Sequence, residues 1–171
     1  MYSERLQRAG AMDFDDLIGN TVAALTLFDD VAAYYHRLFA HILIDEYQDT
    51  NRAQYELVRR LVGHGEEGLD PAELCVVGDS DQSIYAFRGA DVRNIEEFEK
   101  DFPGAEVVLL EQNYRSTQTI LSAANALMAH NTGRREKRLW SDAGDGEPIV
   151  GYVGDDDRDE AAFVVNEIGQ L

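Results

Sequence analysis

The sequence predicts an α/β protein in which helices flank a parallel sheet. Three observations carry this. Short apolar runs at 42–44, 74–77 and 107–110 have the length and composition of strands buried on both faces. Segments with helical spacing of apolar residues alternate with them. The first run ends in two acids, Asp45 and Glu46, at the kind of strand end where ligands sit in open α/β sheets.

The elements follow in order. Residues 13–28 read as a helix with Leu17, Ile18, Leu25 and Phe28 as apolar positions, and 30–39 as a second. After the strand at 42–44, residues 53–62 place Tyr55, Val58, Leu61 and Val62 near one helix face. Residues 63–71 form a turn-rich linker to the strand at 74–77. Val92, Ile95 and Phe98 fit one helix face, stopped before Pro103-Gly104. Beyond the third run, 117–130 spaces Ile120, Leu121, Ala124, Leu127 and Met128 for burial, with Ser116 as its cap. A polar segment at 131–147 precedes a strand at 149–153 and a last helix at 156–171.

A hydrophobic fraction of 44% over 171 residues is enough to build a core. No apolar run reaches membrane-spanning length, and the first residues lead into no stretch of signal-peptide type. The single cysteine, Cys75, cannot form an internal disulfide and reads as a small core residue. A cytoplasmic protein without a membrane partner is expected. The net charge of −18, with lysine only at Lys100 and Lys137, argues against holding DNA by bulk phosphate neutralisation. Screening acts within about 8 Å, so local arginines and aromatic faces still decide contact.

On local evidence Asp45 and Glu46 have two readings. They cap a turn or the next helix, or Asp45 holds Mg²⁺ while Glu46 orients or deprotonates an attacking water. Gly78 allows a tight turn after the second strand. Gln82 then offers an amide to a terminal phosphate. Tyr85 and Phe87 beside Arg88 are core aromatics under a loop, or a platform for unpaired bases. Tyr114 and Arg115 are a buried tyrosine and a surface arginine, or an adenine stack and an arginine finger.

The string 43–51, Leu-Ile-Asp-Glu-Tyr-Gln-Asp-Thr-Asn, resembles the Walker B motif of the superfamily 1 DNA helicases of the UvrD/PcrA/Rep family. Residues 76–91 resemble that family's third motif and 110–116 its fourth; 12–17, Met-Asp-Phe-Asp-Asp-Leu, is a fainter match. The resemblance implies Asp45 on Mg²⁺, Glu46 on water and Gln82 on the γ-phosphate. It places Tyr114 against the base, Arg115 on the γ-phosphate, and Tyr85, Phe87 and Arg88 along single-stranded DNA. One departure is Phe87, where many relatives carry tryptophan; phenylalanine still stacks but lacks the indole N–H.

The implied fold is RecA-like, of the P-loop NTPase type, with an incomplete first domain and the start of a second. Residues 1–11 would be the tail of an inserted helical subdomain, 12–110 the later part of the first motor domain, and 111–171 the start of the second. The phosphate-binding loop G-x-x-x-x-G-K-[ST] is missing, since no Gly-Lys pair occurs. The chain alone is therefore expected to be inactive. The implied activity of the parent protein is ATP-dependent 3′–5′ movement on single-stranded DNA, with ATP and Mg²⁺ as cofactors. Its expected partners are single-stranded DNA, single-strand/double-strand junctions and DNA-repair proteins. Two other readings are the motor portion of a helicase–nuclease subunit and a non-hydrolysing acidic interaction domain.

Overall fold

The computed structural model describes residues 2–63, 70–131 and 135–170. Six of the linker residues at 63–71, numbers 64–69, lie outside the described residues. The chain divides into two compact units, one up to Glu106 and one from Val107. Each mixes helix with irregular backbone, and the first holds a small two-stranded parallel sheet.

The first unit runs α1 (Tyr2–Ala9), α2 (Phe14–Leu27), α3 (Asp29–Leu38), β1 (His41–Ile44), α4 (Arg52–Val62), β2 (Glu73–Val76), α5 (Arg93–Glu96) and α6 (Phe98–Asp101). Reciprocal side-chain caps start the two helices that build the core. Asp13 accepts the Asp16 backbone N–H at 2.8 Å, while the Asp16 carboxylate accepts that of Asp13 at 3.2 Å. Asn51 and Gln54 do the same at the start of α4, at 3.0 and 2.9 Å. Each pair satisfies two backbone donors that the helix leaves unpaired. In α3, Asp29 and Asp30 in the first turn and His36 and Arg37 in the last complement the helix dipole.

The strands pair in parallel with Ile42 opposite Leu74 and Ile44 opposite Val76. Helix α4 connects them, and its Val58 and Val62 bury against Ile42 and Ala72. Ile44, Leu61, Leu74 and Phe102 pack around this cluster, and α2 packs on both α3 and α4. Because side chains alternate along a strand, Leu43 and Cys75 point to the opposite face. No described element of the unit covers that face: Leu43 is 75% exposed and Cys75 is also exposed. The expected double-sided burial and core cysteine are therefore corrected to a sheet covered on one side.

The expected single helix through Val92, Ile95 and Phe98 is broken at Glu97, whose backbone leaves the helical region. The two pieces serve different neighbours. Asn94 turns its buried amide onto the Thr50 carbonyl and hydroxyl at 3.0 and 3.1 Å. Phe98 packs edge-on against Tyr47, with ring centroids 5.7 Å apart.

The second unit contains α7 (Gln118–Met128) and α8 (Asp157–Ile168). Leu121 is its buried anchor, and a single parallel bridge joins Gln112 to Trp140. The strands expected at 107–110 and 149–153 do not form. A strand exists through its ladder of hydrogen bonds, and no described segment of the unit pairs with either run. Ser116 is not the cap of α7. Thr117 holds that position without a side-chain bond, and the carbonyls of Gly144 and Asp145 accept the N–H groups of Gln118 and Thr119. Helix α8 is capped by Asp156, and Tyr152 stacks on its Phe163 at 4.0 Å.

Tyr47 is fully buried in the first unit, and burial pushes its phenol from 10.0 up to about 12. A raised phenol favours the neutral form when folded. Its contribution to stability is thus complete below pH 10.0 and is lost as pH rises towards about 12. Denaturation measured across that window should show this alkaline loss, and Tyr47→Phe should flatten it. An unchanged alkaline slope in the variant would count against the assignment.

Candidate functional site

Parallel pairing brings the carboxyl ends of β1 and β2 to one edge. The pairing continues past the strands, with Val77 N–H donating to Ile44 O at 2.8 Å and Tyr47 N–H to Val77 O at 2.9 Å. Asp45 and Glu46 leave the end of β1, and Gly78 and Asp79 follow β2. Glu46 is the one described non-glycine residue with positive φ, at φ 50° and ψ 42°. That left-handed conformation costs an L-residue about 1–2 kcal/mol. Two contacts hold it: Glu46 N–H donates to the Asp45 carboxylate at 2.9 Å, and Glu46 O accepts Asp49 N–H at 2.9 Å. The result turns the Glu46 side chain back over the following short 3₁₀ turn, Tyr47–Asp49.

Gln48 lies in that turn and is only 1% exposed. Its amide donates to the Glu46 carboxylate at 2.7 Å, and its carbonyl accepts Asp79 N–H at 2.9 Å. Ser83 donates its hydroxyl to Gln48 O at 3.4 Å. The Asp79 carboxylate in turn accepts Asp81 N–H and the Gln82 amide, both at 2.9 Å. Glu46, Gln48, Asp79 and Gln82 are therefore one hydrogen-bonded chain spanning both strand ends. Residue-by-residue reading assigned no role to Gln48; its only signal was membership of the 43–51 string.

Gly78 has no positive φ, so the tight-turn reason for it is corrected. Its reason is close approach: a Cβ there would sit 2.6 Å from Gln48 Oε1, 2.9 Å from Ile95 Cδ1 and 3.1 Å from Tyr47 N.

Asp45 and Glu46 are both exposed. Among the described residues no group of three or more His, Cys, Asp or Glu gathers to cage a metal. One or two carboxylates suit Mg²⁺ when phosphates and waters complete its shell. The donor set thus fits a metal–nucleotide complex better than a bare ion.

The aromatic segment lies next to this edge in the same unit. Asn51 bridges to Ala90, and Asp91 N–H donates to Thr50 O at 3.0 Å, which ties the loop to the end of the 43–51 string. Arg88 sits over Tyr85 at 5.1 Å and Phe87 at 5.6 Å, and the two rings are 5.9 Å apart. Phe87 is 79% exposed, which excludes the reading of it as a core aromatic within this unit. Gly89, with φ 85°, ends the turn that presents Phe87 and Arg88.

Tyr114 and Arg115 belong to the second unit. The Asn113 side chain accepts the backbone N–H groups of Arg115 and Ser116 at 2.9 and 2.8 Å, while Asn113 N–H donates to Trp140 O. This pins the turn on which both residues ride. Tyr114 is 87% exposed and Arg115 is exposed, so the buried-tyrosine reading does not hold within the unit.

Two family models match the chain: the UvrD/REP helicase N-terminal domain over residues 1–103 and the UvrD-like helicase C-terminal domain over 108–171. The chain belongs to the UvrD/REP helicase family. It is 66% identical over 171 residues to the ATP-dependent DNA helicase UvrD1 of Mycobacterium tuberculosis, covering 99% of this chain and 22% of that protein. Identity to UvrD1 of Mycobacterium leprae is 62% over 174 residues, with the same two coverages. The ATP-dependent DNA helicase PcrA of Bacillus subtilis is 49% identical over 170 residues, again across 99% of this chain and 22% of the relative. The chain thus spans 22% of the length of these relatives. No described helix is long and apolar enough to cross a membrane.

Gly78→Ala should lower unfolding stability by about 1–3 kcal/mol, the usual cost of overpacking, because both strand-end loops must shift. Denaturant titration checks this; an unchanged midpoint would show that the two loops yield freely.

Proposed function

We propose that the chain is part of an ATP-dependent DNA helicase that moves 3′–5′ on single-stranded DNA. Residues 12–110 would form the later part of a first RecA-like motor domain and 111–171 the start of a second, with 1–11 the tail of an inserted subdomain. The observation that carries the reading is the left-handed Glu46, whose carboxylate is clamped at the strand edge and joined through Gln48 and Asp79 to Gln82. Backbone strain and a buried amide spent on orienting one exposed carboxylate fit a group with a chemical task.

In this reading Asp45 holds Mg²⁺ and Glu46 orients the attacking water and accepts its proton. Gln82 leaves Asp79 to contact the γ-phosphate. Tyr114 stacks on the adenine, and Arg115 neutralises charge on the transferring phosphoryl group. Mg²⁺ with ATP supplies phosphate charge neutralisation when bound. The phosphate-binding loop, for which this chain has no Gly-Lys pair, would come from another part of the protein, and the chain alone would not turn over ATP. Tyr85, Phe87 and Arg88 would hold unpaired bases by stacking, which needs no basic surface and so accommodates the net charge of −18. Single-stranded DNA, its junctions with duplex and DNA-repair proteins are the proposed partners of the full-length protein, in the cytoplasm.

Glu46→Gln in the full-length protein should lower kcat for ATP by about 10²–10⁴-fold while nucleotide binding persists. Retained turnover would remove Glu46 from the base role. Phe87→Ala should weaken single-stranded DNA binding by about 1–3 kcal/mol, read by anisotropy titration. Unchanged affinity would take Phe87 off the DNA path.

A further inference from the structure

We propose that Gln48 is a positioning residue for hydrolysis: its buried carboxamide sets the Glu46 carboxylate and ties that setting to the loop carrying Gln82. The inference rests on the reading of Glu46 as the water-orienting base.

An amide taken out of water is costly unless both of its ends are paired. Gln48 is 1% exposed and pairs both ends across the two strand-end loops, at 2.7 Å to Glu46 and 2.9 Å to Asp79 N. Its orientation is forced. A flipped amide would set its carbonyl against the Glu46 carboxylate and its N–H against the Asp79 N–H, placing acceptor on acceptor and donor on donor. The bond to Glu46 is charge-assisted, the stronger kind of hydrogen bond. Solvent is kept from the Gln48 end of this bond, while the Glu46 carboxylate stays exposed.

The surroundings leave this amide little freedom. Gly78 lies against it, with no room for a Cβ at position 78. Ser83 holds the Gln48 main-chain carbonyl from the far loop. Glu46 adopts its left-handed backbone within the same short turn. The far end of the chain is exposed and free to change: Gln82 donates to the Asp79 carboxylate at 2.9 Å from the surface. When Gln82 turns to a phosphate, Asp79, whose N–H orients Gln48, loses one of its carboxylate partners and keeps Asp81 N–H. The state of the phosphate is thereby felt at Glu46 through one buried amide.

The test uses the full-length protein carrying Gln48→Met, which keeps the bulk and removes both bonds. A second variant, Gln48→Asn, keeps an amide too short to span both partners. Each is measured for DNA-stimulated kcat, KM for ATP, affinity for a non-hydrolysable ATP analogue and thermal unfolding, and Gln48→Met is also placed on Glu46→Gln. We expect folded variants in which kcat falls about 10- to 100-fold, as when the partner orienting a reactive group is lost. KM and analogue affinity should change little. Gln48→Met should cost nothing further once Glu46 is replaced, because Gln48 acts through it. Near-native kcat in a folded variant, an equal loss on the Glu46→Gln background, or loss of folding in both variants would overturn the inference. Full turnover by Glu46→Gln alone would instead overturn the base reading on which it rests, and the two failures are thereby told apart.

Discussion

Parallel pairing of β1 with β2 is the constraint on which the site depends. In a parallel pair both chains run the same way, so the loops that follow them emerge at the same edge. That is why Glu46 and Asp79, far apart in sequence, come within reach of one glutamine. The pairing survives beyond the strands through Val77 to Ile44 and Tyr47 to Val77, which brings the two loops together before any side chain acts. The apolar cluster of Ile42, Val58, Val62 and Ala72 fixes α4 on the same strands. The polar edge and the apolar core thus share β1, α4 and the approach to β2.

The two loops are joined by a polar network that lies partly in the interior. Gln48, Thr50 and Asn94 are all buried polar residues, and each makes side-chain hydrogen bonds. Such groups contribute specificity of arrangement when every end is paired, and destabilise when one is not. Here they connect the 45–50 loop to Asp79, to Ser83 and to the helix that follows Asp91. The aromatic loop is tied into the same network by the Asn51–Ala90 bridge. The strand-edge loop and the aromatic loop are therefore hydrogen-bonded neighbours within one unit, through the Asn51–Ala90 bridge and Ala90 N–H on Tyr85 O.

Much of this was legible in the sequence, and the exceptions have physical causes. Helices α2, α3, α4, α7 and α8 fell where the sequence placed them; α2, α4 and α7 show the apolar spacing read for them, and α2, α4 and α8 carry a side-chain cap. Strands are different, since a run such as Val107 to Leu110 says how apolar a segment is and nothing about whether a neighbour pairs with it. Cys75 failed for a related reason: an apolar run of four cannot tell a strand covered on both faces from one covered on a single face. Ser116 lost its capping role to carbonyls at Gly144 and Asp145, a contact that sequence spacing does not encode. The exposed candidate residues stood out as a set because the 43–51 and 76–91 strings carry mixed chemistry. Gln48 was hidden within the first string, because its place in the network comes from burial and from a partner beyond β2.

Gly78 shows how the visible and hidden parts depend on one another. Glycine after a strand suggests a turn, yet its backbone here needs no glycine for its φ. What needs glycine is the amide of Gln48, whose oxygen would meet a Cβ at 2.6 Å. A larger residue needs room taken from that oxygen, from Ile95 or from the Tyr47 main chain, and the oxygen is the nearest of the three. The missing side chain at position 78 is therefore a condition for the orientation of a carboxylate on the neighbouring strand end. Glycine, glutamine and glutamate are thus in contact with one another although they lie on two loops.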